Sequence, residues 1–295
     1  MTKLNKFIAF VIFPLLCLSL IILGLLSSGI SQSNSRSEGL NVNLTGHLTV
    51  DTEFGTINIE TTDRNHVDIA VKKTWRSRLL IMRPKLVGWI DELFEDFEIT
   101  IEHDPPDTES DVRIEGKFKR GREYWQEGLK WFKVEIQVTV PRQYDVTLKT
   151  ASRGDIHVGD LMGTVRAEAL GGNIYLGEIQ GEVSGETGVS GDIILKGCQS
   201  SVNLTAATGD IRAEMTTQPQ HPWTLHTSIS GAIDVTLYSH IALDIDLQTQ
   251  GKISSDFSIQ PQDEITENRL KGTLNGGGPL LKLHASTGEI RLKRK

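Results

Sequence analysis

A glycine followed by Asp or Asn and then isoleucine recurs through this chain. The copies are Gly154-Asp155-Ile156, Gly172-Asn173-Ile174, Gly191-Asp192-Ile193 and Gly209-Asp210-Ile211, at spacings of 18, 19 and 18 residues. So short a period leaves no room for a helix in any copy. Weaker copies follow at Gly231-Ala232-Ile233, Gly251-Lys252-Ile253 and Gly288-Glu289-Ile290, with an early echo at Gly55-Thr56-Ile57. A second apolar residue falls nine positions after the isoleucine, pairing Ile156 with Val165, Ile174 with Val183 and Ile193 with Val202. Around these anchors the pattern alternates, as in Ile156-His157-Val158, which is the period-2 signature of a strand with one face inward. Each repeat is therefore two short strands, and glycines such as Gly159, Gly163, Gly177 and Gly181 mark corners where close backbone approach is cheapest.

One two-strand repeat cannot bury its apolar face, but stacking coils about 4.8 Å apart lines up Ile156, Ile174, Ile193 and Ile211 as one internal ladder. The fold expected is all-β, a single-stranded parallel β-solenoid or β-helix-like repeat domain, with a flattened β-sandwich of short strands as the alternative. A left-handed hexapeptide helix also has an 18-residue coil, but it needs an aliphatic residue every six, and Glu168 falls where one is required. Stacking would also align Asp155, Asn173, Asp192 and Asp210. Those positions suit turns, or they could share a cation such as Ca2+.

From Phe7 to Leu26 twenty residues carry no charge, the length an α-helix needs to cross a bilayer core. Lys3 and Lys6 precede the segment, so the bias of positive charge toward the cytoplasm gives a cytoplasmic N-terminus, residues 1–6, and an extracytoplasmic body. The expected localisation is a single-pass protein of the cell membrane whose lipid-bilayer partner contacts residues 7–26. Secretion after signal cleavage near Ser27 and Gly29 is the alternative. Residues 27–39 have the composition of a flexible tether, and 40–295 make up the β-repeat domain. The formal charge is −7; Lys3 and Lys6 remove two of 31 basic residues, leaving 29 against 38 acidic ones, or −9, beyond the apolar run. Such a balance argues against nucleic acid as a partner. Cys17 lies in the apolar run and Cys198 deep in the body, so no intramolecular disulfide framework is available.

The stretch Val134 to Val158, VEIQVTVPRQYDVTLKTASRGDIHV, the recurring G-[DN]-I and the closing GTLNGGGPLLKLHASTGEIRLKRK together resemble a bacterial putative-adhesin domain family of β-strand-repeat proteins of unknown function. The resemblance implies that the strand into Val140-Pro141 enters the repeats and that Gly276-Gly277-Gly278 opens the last coil. It implies an envelope compartment, and no catalytic residues, because the family has none established.

An insertion at about 72–133 departs from the repeat and holds four of the five tryptophans, Trp75, Trp89, Trp125 and Trp131. Its first half, Arg76 to Phe97, has apolar residues at near-helical spacing with Pro84 as a boundary. The acidic run Asp91 to Asp111 reads as a solvated loop. Its second half, Lys117 to Lys133, interleaves six basic residues with five aromatics. Lys119, Arg120, Arg122, Trp125 and Trp131 are the candidate contacts to anionic lipid or an envelope glycan; equally, the insertion would cap an open solenoid end.

Catalysis finds no support: the eight histidines are scattered, none forms an H-x-H or H-x3-H pair, and there is no G-x-S-x-G. Cys198 reads as a packing residue. No cofactor is expected. Asn43-Leu44-Thr45 and Asn203-Leu204-Thr205 would be glycosylation sequons only in a eukaryotic host. The sequence thus predicts a membrane-anchored, extracytoplasmic adhesin-like protein that binds or scaffolds, its partner an envelope glycan, anionic lipid or membrane protein. A glycan-active enzyme on a solenoid and a self-assembling envelope scaffold are the alternatives.

Overall fold

A computed structural model describes residues 30–77, 86–104, 111–152, 154–262 and 266–295. The expected cytoplasmic residues 1–6, the expected transmembrane helix 7–26 and residues 27–29 lie outside the described residues. Among the described residues no helix is long and apolar enough to cross a membrane.

The chain folds into two sheets whose inward residues form one core. In spatial order the first contains β1 (Ile30–Asn41), β4 (His66–Ser77), β7 (Phe132–Pro141), β3 (Thr56–Thr62), β9 (Ile156–Val158), β11 (Ile174–Ile179), β13 (Ile193–Cys198), β15 (Ile211–Met215), β17 (Ile233–Leu237), β23 (Ile290–Arg294) and β19 (Ile253–Ser255). The second contains β20 (Gln260–Pro261), β21 (Arg269–Leu274), β18 (Leu243–Thr249), β22 (Leu280–Ala285), β16 (Trp223–Ser230), β14 (Val202–Thr208), β12 (Val183–Ser190), β10 (Val165–Gly171), β8 (Asp145–Thr150), β2 (His47–Thr52), β6 (Val112–Phe118) and β5 (Phe97–His103). Each coil gives one strand to each sheet, and neighbouring coils pair in parallel. The result has the parallel coils expected of a solenoid and the two-layer cross-section expected of the flattened alternative.

Register fixes the core. Ile136, Ile57, Ile156, Ile174, Ile193, Ile211, Ile233, Ile290 and Ile253 are successive partners across the first sheet. All but Ile253 are fully buried, each stabilising by roughly 1.5–3 kcal/mol relative to exposure. The second sheet carries a row that alternates threonine and alanine after its first pair: Thr52, Thr150, Ala169, Thr187, Ala206, Thr227, Ala285, Thr249. Buried hydroxyls need acceptors. Thr150 donates to the Gly55 carbonyl at 3.0 Å, Thr187 to that of Gly191 at 3.1 Å, Thr227 to that of Gly231 at 3.1 Å and Thr249 to that of Gly288 at 2.5 Å.

Those acceptors belong to the corner that the sequence repeat marks. A Cβ on Gly172 would stand 2.0 Å from the Gly154 carbonyl oxygen, one on Gly191 1.9 Å from that of Gly172, and one on Gly231 1.8 Å from that of Gly209. Hydrogen at these positions is what lets consecutive corners close to strand spacing. The next residue locks the step. The side-chain oxygen of Asp155 accepts from the Asn173 N–H at 2.7 Å, Asn173 from Asp192 at 2.8 Å, Asp192 from Asp210 at 2.9 Å and Asp210 from Ala232 at 2.9 Å. Arg212 also bridges Asp192 and Asp210, at 3.1 and 2.6 Å. The turn reading of this row holds, and its side chains are consumed in the backbone of the neighbouring coil.

Four expectations are corrected. Residues 30–39, read as tether, are part of β1, which pairs antiparallel with β4 along its whole length; the strand is held by backbone bonds and is polar on both sides, so it left no periodic signal. The insertion is not outside the repeat, because β6 and β7 pair in parallel with β2 and β3 and form the last parallel coil at that end, with β4 and β1 beyond β7 and β5 beyond β6. Residues 91–103 of the acidic run are not a loop, since 86–96 are helical and 97–103 a strand, while 105–110 lie outside the described residues. The coil opened by Gly276-Gly277-Gly278 is not last in space, for β22 and β23 lie between β16 and β17 on one side and β18 and β19 on the other.

Adjacent glycines test the corner. Gly172→Ala should cost roughly 1–3 kcal/mol or more through overpacking, whereas Gly171→Ala, whose Cβ would meet nothing within 4 Å, should stay within about 0.5 kcal/mol. Urea midpoints of the two variants decide the matter; equal shifts would refute the close-approach account.

Candidate functional site

The end of the stack formed by β4, β5, β6 and β7 is closed by α1 (Leu86–Asp96), a 3-10 turn at Arg122–Trp125 and a one-turn helix, α2 (Gln126–Leu129). Ile90, Leu93 and Phe94 of α1 are buried at near-helical spacing, as the first half of the insertion predicted. They meet a packed aromatic group. Phe132 lies 5.7 Å from Phe54, 5.8 Å from Phe94, 5.9 Å from Phe97 and 6.2 Å from Phe118 between ring centroids. Lys73 donates to the Phe94 carbonyl at 2.6 Å and to that of Phe97, placing a cation at the C-terminal end of α1, where the helix dipole favours it. Burial, with Lys119 nearby, pulls the Lys73 ammonium below its usual pKa.

Asp96 ties this end together. Its buried carboxylate accepts from Trp125 Nε1 at 2.6 Å and Arg120 Nε at 2.7 Å, and its carbonyl accepts from the Lys119 N–H at 3.0 Å. Burial alone would raise the carboxyl, but the hydrogen bonds from Arg120 and Trp125 outweigh it and hold Asp96 below the usual carboxylate range.

The five candidate contacts therefore part company. Trp125 is fully buried with its one donor committed to Asp96, so it offers nothing to a lipid or glycan; an aromatic in a basic run reads the same whether it faces out or plugs a core. Arg120 is half-exposed, but its guanidinium stacks 4.6 Å from the Tyr124 ring and 4.7 Å from that of Trp125. Lys119 pairs with Glu98 at 3.5 Å on the surface. Arg122 is exposed and lines a 400 Å³ cavity with Phe54, Glu123, Gln126, Leu129 and Ser152. Trp131 is half-buried, 5.8 Å from Trp75, with Lys130 Nζ 3.9 Å above its ring.

Stacking also creates neighbours that are remote in sequence. His157 and Tyr175 lie ring on ring at 4.6 Å and 6°, beside a 470 Å³ groove on the outer face of the first sheet that also takes in Asn58, Gln137 and Lys196. On the second sheet His226 and His284 stack at 4.8 Å. Burial, together with His284 and Lys282, lowers the His226 pKa. Spacing within the sequence could not disclose this pair, because β16 and β22 become neighbours only when the later coil is inserted. Cys198 is buried, its thiol pushed up to about 11 by that burial. Among the described residues no group of three or more His, Cys, Asp or Glu side chains is placed to hold a metal ion.

Removing the Asp96 carboxylate leaves the Trp125 indole N–H without its acceptor, so Asp96→Ala should destabilise by about 1–3 kcal/mol at pH 7. A carboxyl with a depressed folded pKa stabilises fully above its unfolded value and loses that contribution as pH falls through the folded one. The gap between wild type and Asp96→Ala should therefore be constant at neutral pH and shrink below about pH 4. Denaturation midpoints across that range check it, and a gap that widens in acid would contradict it.

Residues 187–293 match the family DUF4097, described as Toastrack. The match begins within β12 and includes the inserted coil. No curated protein matches the chain. Among solved structures, a putative cell adhesion protein from Clostridium sporogenes ATCC 15579 is 13% identical, with 90% of this chain and 100% of that one covered and a TM-score of 0.35. A putative adhesin from Bacteroides fragilis NCTC 9343 is 11% identical, with 89% and 97% covered and a TM-score of 0.34. One from Parabacteroides merdae ATCC 43184 is 8% identical, with 88% and 96% covered and a TM-score of 0.27. At such scores these three carry no argument about this chain. The resemblance read from the glycine motifs to a β-strand-repeat domain family of unknown function is supported over residues 187–293, the stretch that matches the Toastrack model.

Proposed function

We propose that this chain is a membrane-anchored, extracytoplasmic β-repeat protein, adhesin-like in that it binds or scaffolds at the cell envelope rather than catalysing a reaction. The observation that carries the reading is how the repeat spends its side chains. The inner ladders are apolar or carry threonine hydroxyls bonded to corner carbonyls, and the corner Asp and Asn residues bond to the neighbouring coil, so chemistry is left to the broad outer faces. On the first sheet the outer face presents a groove lined by the stacked His157 and Tyr175 and by Asn58, Gln137 and Lys196, a mixture of rings and hydrogen-bonding groups that suits an envelope glycan. The apolar run 7–26 supports the anchor, and the two lysines before it support an outward-facing body.

Self-assembly through open ends is the weaker reading. The edge strands β19 and β20 have three and two residues, and the opposite edge of the first sheet is the polar β1. Short or polar edges are poor templates for further strands, which leaves β5, seven residues at the far edge of the second sheet, as the one fuller edge among the described strands.

Two measurements test the proposal. Protease added to intact cells or spheroplasts should digest the body while the chain resists carbonate extraction; extraction into the soluble fraction would overturn the anchor. On a glycan array, residues 30–295 should show saturable binding that falls at least tenfold with Tyr175→Ala. Binding unaffected by that change would remove the groove from the proposal.

A further inference from the structure

The anchor reading and the position of β1 together constrain how the body meets the bilayer. Strand β1 begins at Ile30, and the apolar run ends at Leu26. Four peptide steps separate them, a span of at most about 14 Å. The chain thus leaves the domain from a strand end rather than from a long linker. That strand end is the tip of a ribbon that overshoots its sheet: β7 starts at Phe132, opposite Trp75, while Arg76 and Ser77 continue beyond it opposite Ser31 and Ile30. One segment accompanies the tip, because the Arg76 N–H donates to the Trp131 carbonyl at 3.1 Å. Trp131 and Lys130 are therefore held across β4 from the exit, about 10 Å from Ser31 by two strand spacings, with the ammonium over the indole at 3.9 Å.

Tryptophan and lysine are the residue types that settle in the interfacial layer, the ring at headgroup depth and the ammonium among the phosphates. That layer is roughly 5–8 Å deep in each leaflet, within reach of so short a connection. Charge sorts the two sides of the tip: Arg76, Lys130 and Lys133 are exposed on the Trp131 side, whereas Asp91 and Glu95 lie beside Gln32 to Ser35 on the α1 side.

We infer that the tip of the β1–β4 ribbon, with Trp131 and Lys130, docks into the phospholipid headgroup layer and fixes the orientation of the repeat domain on the membrane. The inference rests on the anchor proposed above and goes further, because a loosely tethered domain would satisfy the anchor equally well. Lys119 and Arg120, committed to Glu98 and Asp96, are not needed for it.

The test uses the full chain reconstituted in nanodiscs of phosphatidylcholine and phosphatidylglycerol, with and without lipids brominated near the headgroup. Trp131 is one of five tryptophans, so bromolipid should remove about one fifth of the emission of the wild type and markedly less from Trp131→Phe. Lys130→Glu should reduce the quenching while leaving the thermal midpoint unchanged. Equal quenching in wild type and Trp131→Phe, in protein that resists carbonate extraction, would overturn the docking and leave the anchor standing. Protein that washes off with carbonate would overturn both.

Discussion

The stack depends on one absence, the missing Cβ at the corner. Parallel coils pair only if their backbones approach to strand spacing along the whole circuit, and the corner is where a side chain would stand between them. Gly154, Gly172, Gly191, Gly209, Gly231 and Gly288 each leave that space to the carbonyl of the coil before. With the corner closed, everything nearby is set in register. The isoleucine two residues on falls on the isoleucine of the preceding coil, the Asp or Asn between them meets a free N–H, and the threonine that ends the previous strand finds a glycine carbonyl. A single steric condition repeated along the chain therefore governs apolar burial and polar satisfaction together.

This explains which parts of the fold were legible. The glycine condition is local and periodic, so Gly-[DN]-Ile announced the coils, their two strands and the isoleucine ladder before any coordinates. Features held by backbone bonding alone left no such trace. β1, with Ser, Asn and Arg on both faces, has a full antiparallel partner but no alternation to betray it. The order of the coils was equally hidden, since Ile290 suits the ladder between Ile233 and Ile253 as well as it would suit the end.

The candidate site was legible in composition and not in orientation. The mixture of cations and rings from Lys117 to Lys133 marked a departure from the repeat, yet the same residues serve two purposes in three dimensions. Trp125 and Arg120 are gathered by Asp96 into the closure of the aromatic core, and Asp96 itself came from a run whose charges suggested solvent. Trp131 follows α2 in the chain and stays half-buried beside Trp75. Only the partner of each side chain separates these roles, and the deciding ones come from elsewhere in the chain: Asp96 of α1 for Trp125 and Arg120, Trp75 of β4 for Trp131.

The inserted coil changes what an end means in this molecule. In a simple solenoid the terminal repeat can be shed, leaving a shorter copy of the same object. Here residues 280–294 occupy an interior position, flanked by β16 and β17 on one side and β18 and β19 on the other. Loss of this segment would open a gap inside the stack rather than trim it. It would strip β18 and β19 of their parallel neighbours and split the ladder between Ile233 and Ile253. The segment acts as a keystone: residues 243–274 can join the stack only once a stretch that follows them in the chain is in place.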